Sequence, residues 1–161
     1  MINGMLTVEE AQAKVMAEVA VGAAESVPLD ESLGRVLRED VIAARDMPPA
    51  DNSAMDGYAV RAEDLIEMPV RLRVTDDIAA GHPPTRTLEP GTAMRIMTGA
   101  YIPDGADTVV QVELTDGGTD VVTITTALAR GTNIRRRGGD MRAGDIVLRS
   151  GVRIGAAEIA M

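Results

Sequence analysis

Thr108-Val-Val-Gln-Val112 and Val121-Val-Thr-Ile-Thr125, separated by a segment containing Asp116-Gly117-Gly118, decide the fold class. Two β-branched runs around an Asp-Gly-Gly turn read as a β-hairpin. Working outward, Val70–Val74, Ala93–Met97 and Ile146–Leu148 have the same texture. Pro83-Pro84, Pro90-Gly91 and Asp104-Gly105 punctuate them. Short strands divided by such turns predict a small all-β unit, a barrel or a coiled sheet.

The chain before this region reads differently. Thr7 followed three positions later by Glu10 is a capping box. Val8, Ala11, Val15 and Val19 then fall on one helical face, with Glu10 and Lys14 paired on another. Gly22 is the expected stop. Such a face packs into a core or against a second subunit more often than it does chemistry. Val27-Pro28-Leu29-Asp30 restarts the chain, with Asp30 capping a short helical turn through Leu33 that Gly34 ends. Val36 to Ala43 reads as extended, and Pro48-Pro49 is a break. At the other end, Gly155-Ala-Ala-Glu-Ile-Ala-Met161 opens a helix that stops after about one turn, too short to be stable alone. The expectation is a fragment of a longer chain. The class is α+β, rich in β. An all-β subdomain, 50–137, is inserted into an elongated helix-containing subdomain made of 1–49 and 138–161.

Composition narrows the function. The 161 residues are 45% hydrophobic but contain no Phe or Trp, and Tyr58 and Tyr101 are the only aromatics. Aliphatic side chains bury less area each than aromatic ones, so thin layers are expected rather than one thick core. A formal net charge of −9 repels phosphate backbones and argues against nucleic acid as partner. With no cysteine, disulfides, thiolate metal sites and cysteine nucleophiles are excluded. Met1 to Leu6 lacks a basic region followed by an apolar run, and no apolar stretch is long enough for a bilayer; a soluble, cytoplasmic protein without membrane contact is expected.

Four constellations carry polar chemistry. In Asp51-Asn52-Ser53-Ala54-Met55-Asp56-Gly57-Tyr58-Ala59, Asp51 and Asp56 suit a hard cation such as Mg²⁺, and Asn52 and Ser53 could hydrogen-bond a ligand. The same residues also read as a structural turn in which Asp51 and Ser53 cap backbone amides. In Arg95-Ile96-Met97-Thr98-Gly99-Ala100 a strand ends on a hydroxyl and a glycine, where freed amides can meet a phosphate, although no Walker lysine follows. In Asn133-Ile134-Arg135-Arg136-Arg137-Gly138-Gly139-Asp140 the arginines either grip an oxyanion or neutralise neighbouring carboxylates. Extended alternation would put Arg135 and Arg137 on one face and Arg136 on the other. His82 stands alone in a Gly/Pro loop with no visible catalytic partner.

Together these stretches resemble one family. Asp51-Asn52-Ser53-Ala54-Met55-Asp56-Gly57-Tyr58-Ala59-Val60-Arg61 is similar to the hallmark of the MoeA proteins and of the E domains of gephyrin-like proteins. Arg95–Ala100 with Pro103-x-Gly105-Ala106-Asp107 resembles that family's next motif, and Asn133–Asp140 with Ala143-Gly144-Asp145 its third. Leu6–Ala11 and Leu33–Leu37 fit its opening. Ala50, where the family commonly has an aromatic, and Gly139, where an acidic residue is usual, depart from the pattern. The resemblance implies a molybdopterin molybdotransferase. Its members insert molybdate into adenylylated molybdopterin with Mg²⁺ and release AMP, and the active site lies between the subunits of a homodimer. Pathway partnership with a molybdopterin adenylyltransferase is implied as well. Carried over by motif, Asp56, Thr98 and Asp140 would be catalytic, with Asp56 and Asp140 holding the metal. Asn52, Ser53, Gly99, Arg135 and Arg137 would bind substrate. The family's pterin-binding α/β domain and C-terminal β domain have no counterpart in this sequence, so the chain alone is expected to be inactive. The alternative is a non-catalytic assembly or scaffold module of the same fold.

Overall fold

The computed structural model describes residues 5–161; residues 1–4, part of the Met1–Leu6 stretch considered for a leader, lie outside the described residues. The fold is mixed α+β and divides into two compact units, Met1–Asp40 with Leu148–Met161, and Val41–Val147.

The first unit opens on helix α1 (Val8–Glu18). The Thr7 hydroxyl accepts the Glu10 N–H at 3.1 Å, and the Glu10 carboxylate accepts the Thr7 N–H at 2.9 Å. This reciprocal cap satisfies two of the amides that a helix start leaves without a partner. The helix ends before the expected Gly22: Val19 is already extended, at φ −87° and ψ 112°. β-branched Val19 and Val21 favour extended backbone, so the end needs no glycine. No α1 residue is buried, and Val8, Val15 and Val19 are 78%, 64% and 61% exposed. The apolar face read from the spacing exists but has no partner layer among the described residues. Leu29–Glu31 forms a 3₁₀ turn that contains Asp30 rather than being capped by it. Backbone bonds hold the rest of the unit: Gly34 N–H to Ile154 O at 2.8 Å, Leu37 N–H to Val152 O at 2.9 Å and Ile154 N–H to Arg35 O at 2.8 Å. Helix α2 (Ala156–Ile159) follows, and the Gly155 N–H donates to the Glu158 carboxylate at 2.8 Å.

The second unit is built on short strands: β1 (Val41–Ile42), β2 (Asn52–Ser53), β3 (Gly57–Val60), β4 (Val70–Ile78), β5 (Thr92–Ile96), β6 (Thr108–Gln111), β7 (Val121–Ile124) and β8 (Ile134–Arg135), with β9 (Ile146–Leu148) at its boundary, Leu148 already counting to the first unit. Five form one sheet in the order β6-β3-β5-β4-β7, while β1 pairs with β9 and β2 with β8. All neighbours in the main sheet are antiparallel except β4 and β5. Each face of the sheet carries its own core. Tyr58, Val60, Leu72, Ala93, Val110, Val122 and Ile124 make one cluster with Leu65. Ala59, Ile78, Met94, Ile96 and Val109 make the other with Leu88 and Ala100. These are the thin aliphatic layers that the missing aromatics demanded.

Two sequence expectations need correction here. Gly57–Ala59, grouped with Asp51–Asp56 in a stretch also read as a structural turn, belong with Val60 to the strand between β6 and β5, and all four residues are buried. A strand covered on both faces shows no alternation, so periodicity could not reveal it. Gly57 is required at its start, because a Cβ there would lie 1.9 Å from the Val110 carbonyl oxygen. The hairpin around Asp116-Gly117-Gly118 also differs: β6 and β7 stand at opposite edges of the sheet. The turn itself is real, with the Asp116 carboxylate accepting the Gly118 and Thr123 N–H groups at 3.1 and 2.9 Å. What pairs with β7 across it is Thr115, bridged to Ile124. The chain leaving β6 at one edge therefore reaches β7 at the other, and the sheet is curled on itself.

Pro48-Pro49 and Gly138-Gly139 both lie inside the second unit. The Gly138 N–H donates to Pro48 O at 2.9 Å, and Met47 and Met141 form an antiparallel bridge.

Candidate functional site

The three polar motifs meet in the second unit. Antiparallel pairing of β3 with β5 sets Gly57 opposite Ile96, so Asp56, just before β3, comes to Thr98, just after β5. The Asp56 Oδ1 accepts both the Thr98 backbone N–H and the Thr98 hydroxyl, each at 2.7 Å. These two bonds, backbone first, hold the Asp56 carboxyl below the usual carboxylate range, and the nearby Arg95 guanidinium pulls the same way.

Next along the site, the Gly99 N–H donates to Ser53 O at 2.8 Å and the Ser53 N–H to Ala100 O at 2.9 Å. Gly99 has φ +81°, the left-handed backbone that glycine tolerates best. The Ser53 hydroxyl is turned inward: it donates to Met55 O at 2.5 Å and is fully buried. It also accepts the Met55 N–H at 3.2 Å and so shapes the turn. Asn52 is 8% exposed, and its Oδ1 is buried without a hydrogen-bond partner among the described residues. Its strand position lies between Arg135 of β8 and Tyr101. Asn133, at φ +58°, donates its side-chain amide to Val109 O at 2.9 Å and so ties the third motif to β6.

The arginines are distributed differently from the alternation expected of an extended segment. Only Arg135 is in a strand; Arg136 and Arg137 lie in the turn after β8. Each grips a separate carboxylate: Arg135 holds Asp140 at 2.5 Å, Arg136 holds Asp51 at 2.6 Å and Arg137 holds Asp46 at 2.5 Å. Arg135 and Arg137 thus do not share a partner. Asp51 also accepts the Arg137 N–H at 2.8 Å, and this bond with the Arg136 pair holds its carboxyl low. Asp46, which nothing in the sequence singled out, accepts the Ala143 N–H at 2.9 Å; that bond and Arg137 depress its carboxyl too. Its partners lie 91 and 97 positions away, so its role emerges only once the third motif has folded against it.

The described residues contain no cluster of three or more metal-ligating side chains. Asp56 and Asp140 each have one oxygen committed, to Thr98 and to Arg135. Each therefore keeps one carboxylate oxygen for a cation such as magnesium, which commonly takes one or two carboxylates and keeps several waters. A concavity of 280 Å³ lies in the first unit, lined by Leu33, Gly34, Arg153, Ile154 and Gly155. It holds none of the candidate site residues.

Residues 6–161 match the model of the MoeA N-terminal region, domains I and II. This chain belongs to the MoeA family. Among its relatives is molybdopterin molybdenumtransferase 2 of Mycobacterium tuberculosis, 48% identical over 151 residues that cover 91% of this chain and 37% of the relative. The molybdopterin molybdenumtransferase of Staphylococcus epidermidis is 39% identical over 160 residues, covering 97% and 38%. The crystal structure of the molybdopterin biosynthesis MoeA protein of Pyrococcus horikoshii superposes with a TM-score of 0.81 at 38% identity, over 85% of this chain and 37% of that one. This MoeA-family chain therefore spans well under half the length of the relatives it matches. Its described helices are too short or too polar to cross a membrane.

Proposed function

We propose that this chain is the N-terminal portion of a molybdopterin molybdotransferase that inserts molybdate into adenylylated molybdopterin with release of AMP. The observation that carries the reading is the junction of Asp56 with Thr98, which joins the first two family motifs through two 2.7 Å hydrogen bonds. The carboxylate is pre-oriented by the hydroxyl and amide it accepts, and these bonds favour its charged form. Asp56 and Asp140 would hold Mg²⁺, which supplies positive charge beside the reacting anions. Thr98 keeps Asp56 in one rotamer. Gly99 lets the chain turn back to Ser53, and Arg135 holds Asp140 in place. Asn52 presents a buried acceptor at the same seam. Arg137 supports the site indirectly through Asp46.

The same reading places the working enzyme in the cytoplasm, as a homodimer whose site each subunit completes, receiving its substrate from a molybdopterin adenylyltransferase. The exposed apolar face of α1 supports a partner surface in that longer protein. The test is molybdate-dependent AMP release from adenylylated molybdopterin. The full-length protein should show it, and the purified 161-residue chain should not, since relatives of this activity are more than twice its length. No AMP release by the full-length protein would sink the assignment; release by the short chain would refute its inactivity.

A further inference from the structure

We propose that Arg95 is the anion-binding cation of this site, taking a tetrahedral oxyanion beside Asp56 and Thr98. The inference deepens the functional reading above and rests on it only for the identity of the physiological anion.

Arg135 and Arg137, the residues whose motif suggested this role, are committed to Asp140 and Asp46, and Arg136 to Asp51. An arginine that must neutralise a carboxylate has less charge and fewer N–H groups for a ligand. Arg95 differs. It is half-buried on β5, and its guanidinium has no ion-pair or hydrogen-bond partner among the described residues. Strand register sets it opposite Tyr58 on β3 and Asp77 on β4. Asp77 is exposed and makes no ion pair with it. Tyr58 is anchored elsewhere, its hydroxyl donating to Gly118 O at 3.0 Å. Arg95, its donors unspent, stands one register position from the Gly57–Ile96 pair that precedes the Asp56–Thr98 junction, and its field reaches the Asp56 carboxyl. Half-burial strengthens its grip on an anion, because the surrounding protein screens less than water does. The planar fork suits two oxygens of a tetrahedral anion in a bidentate manner. Molybdate and a phosphate group share that chemistry.

The test titrates the 161-residue chain with molybdate and, separately, with inorganic phosphate, following heat of binding at low ionic strength. Arg95→Gln should weaken binding by about 10-fold or more, the usual scale for losing a charged hydrogen-bond pair. Arg95→Lys should lie between the two, because it keeps the charge and loses the fork. Arg71→Gln, on an exposed arginine of β4, should bind as the wild type does. Molybdate binding alone identifies the metal oxyanion, phosphate binding alone the adenylyl phosphate, and both together a shared oxyanion seat; each supports the inference. Wild-type affinity in Arg95→Gln, equal loss in Arg71→Gln, or no binding of either anion to the wild type overturns it. If Arg95→Gln fails to fold, Arg95→Lys decides: unchanged affinity and unchanged salt dependence overturn the inference. Absence of AMP release by the full-length protein would remove the functional assignment and leave this binding result standing.

Discussion

The two units use similar residues to opposite ends. Val8, Val15, Val19, Leu29, Leu33 and Val36 of the first unit stay exposed, while Val60, Val109, Val110, Val122 and Ile124 of the second are fully buried. Apolar content alone does not make a core; a second layer must be present to cover it. In the second unit the curled sheet supplies that layer to itself on one face, and the loops carrying Leu88 and Ala100 supply it on the other. In the first unit the architecture rests on caps and backbone pairing, each worth about 0.5–1.5 kcal/mol net. The candidate site sits in the well-packed unit, where three loops are tied to a sheet that cannot shift without opening its core.

The sharpest way to break this contrast is at Gly57. In Gly57→Ala the new Cβ meets the Val110 carbonyl oxygen at 1.9 Å, so β3 and β6 must separate. A loss of about 4 kcal/mol or more is expected, in the range reserved for severe core disruption. Both tyrosines lie in the second unit, so tyrosine fluorescence in a urea titration reads that unit alone. An unchanged midpoint would show that the sheet is looser than its register implies.

Asp56→Asn separates chemistry from packing within the same unit. Asn keeps an acceptor for both Thr98 donors but loses the charge. Turnover of the full-length enzyme at saturating Mg²⁺ should fall on the order of 10²-fold, the scale for removing one electrostatic partner. The melting temperature should hardly move, as expected for an exposed side chain. Turnover equal to the wild type would make Asp56 a turn residue only.

Acid should weaken the second unit through its tethered carboxylates. Asp46 and Asp51, both tied to arginines, have folded-state pKa values below the ordinary carboxylate value of about 3.9. The unfolded chain then binds protons first. Their stabilisation is complete above that ordinary value and is lost as pH falls through the lower folded values. The fluorescence-detected urea midpoint should be flat from neutral pH to about 5 and fall below about 4. A midpoint constant down to about pH 3 would mean that the Asp–Arg tethers add nothing.

The smallest effects belong to the first unit. Thr7→Ala removes one half of the cap on α1 and should cost about 1 kcal/mol of helix stability, seen as lost ellipticity at low urea. Val15→Ser, on the exposed face, should change stability by less than about 0.5 kcal/mol. Tyrosine fluorescence midpoints should not respond to either change. A large loss with Val15→Ser would reveal that the face is covered in solution.

Local chemistry by itself determined a good deal of this protein. The Thr7–Glu10 cap, the Asp116 turn, the β-branched strands and the thin aliphatic layers follow from neighbours a few residues apart, and such interactions survive in any tertiary setting. The three motifs were legible as polar clusters, and their order along the chain carried the family resemblance. Sequence could not order the sheet, because β3 is covered on both faces and has no alternating pattern to read, and the strands flanking a sound turn ended at opposite edges. Nor could it pair the arginines. Arg136 meets Asp51 and Arg137 meets Asp46 across 85 and 91 positions of chain, so those choices exist only after β2 has paired with β8. Only the tertiary structure decided which charges were spent on holding the fold and that Arg95, on a strand facing Tyr58, was left with its own unspent.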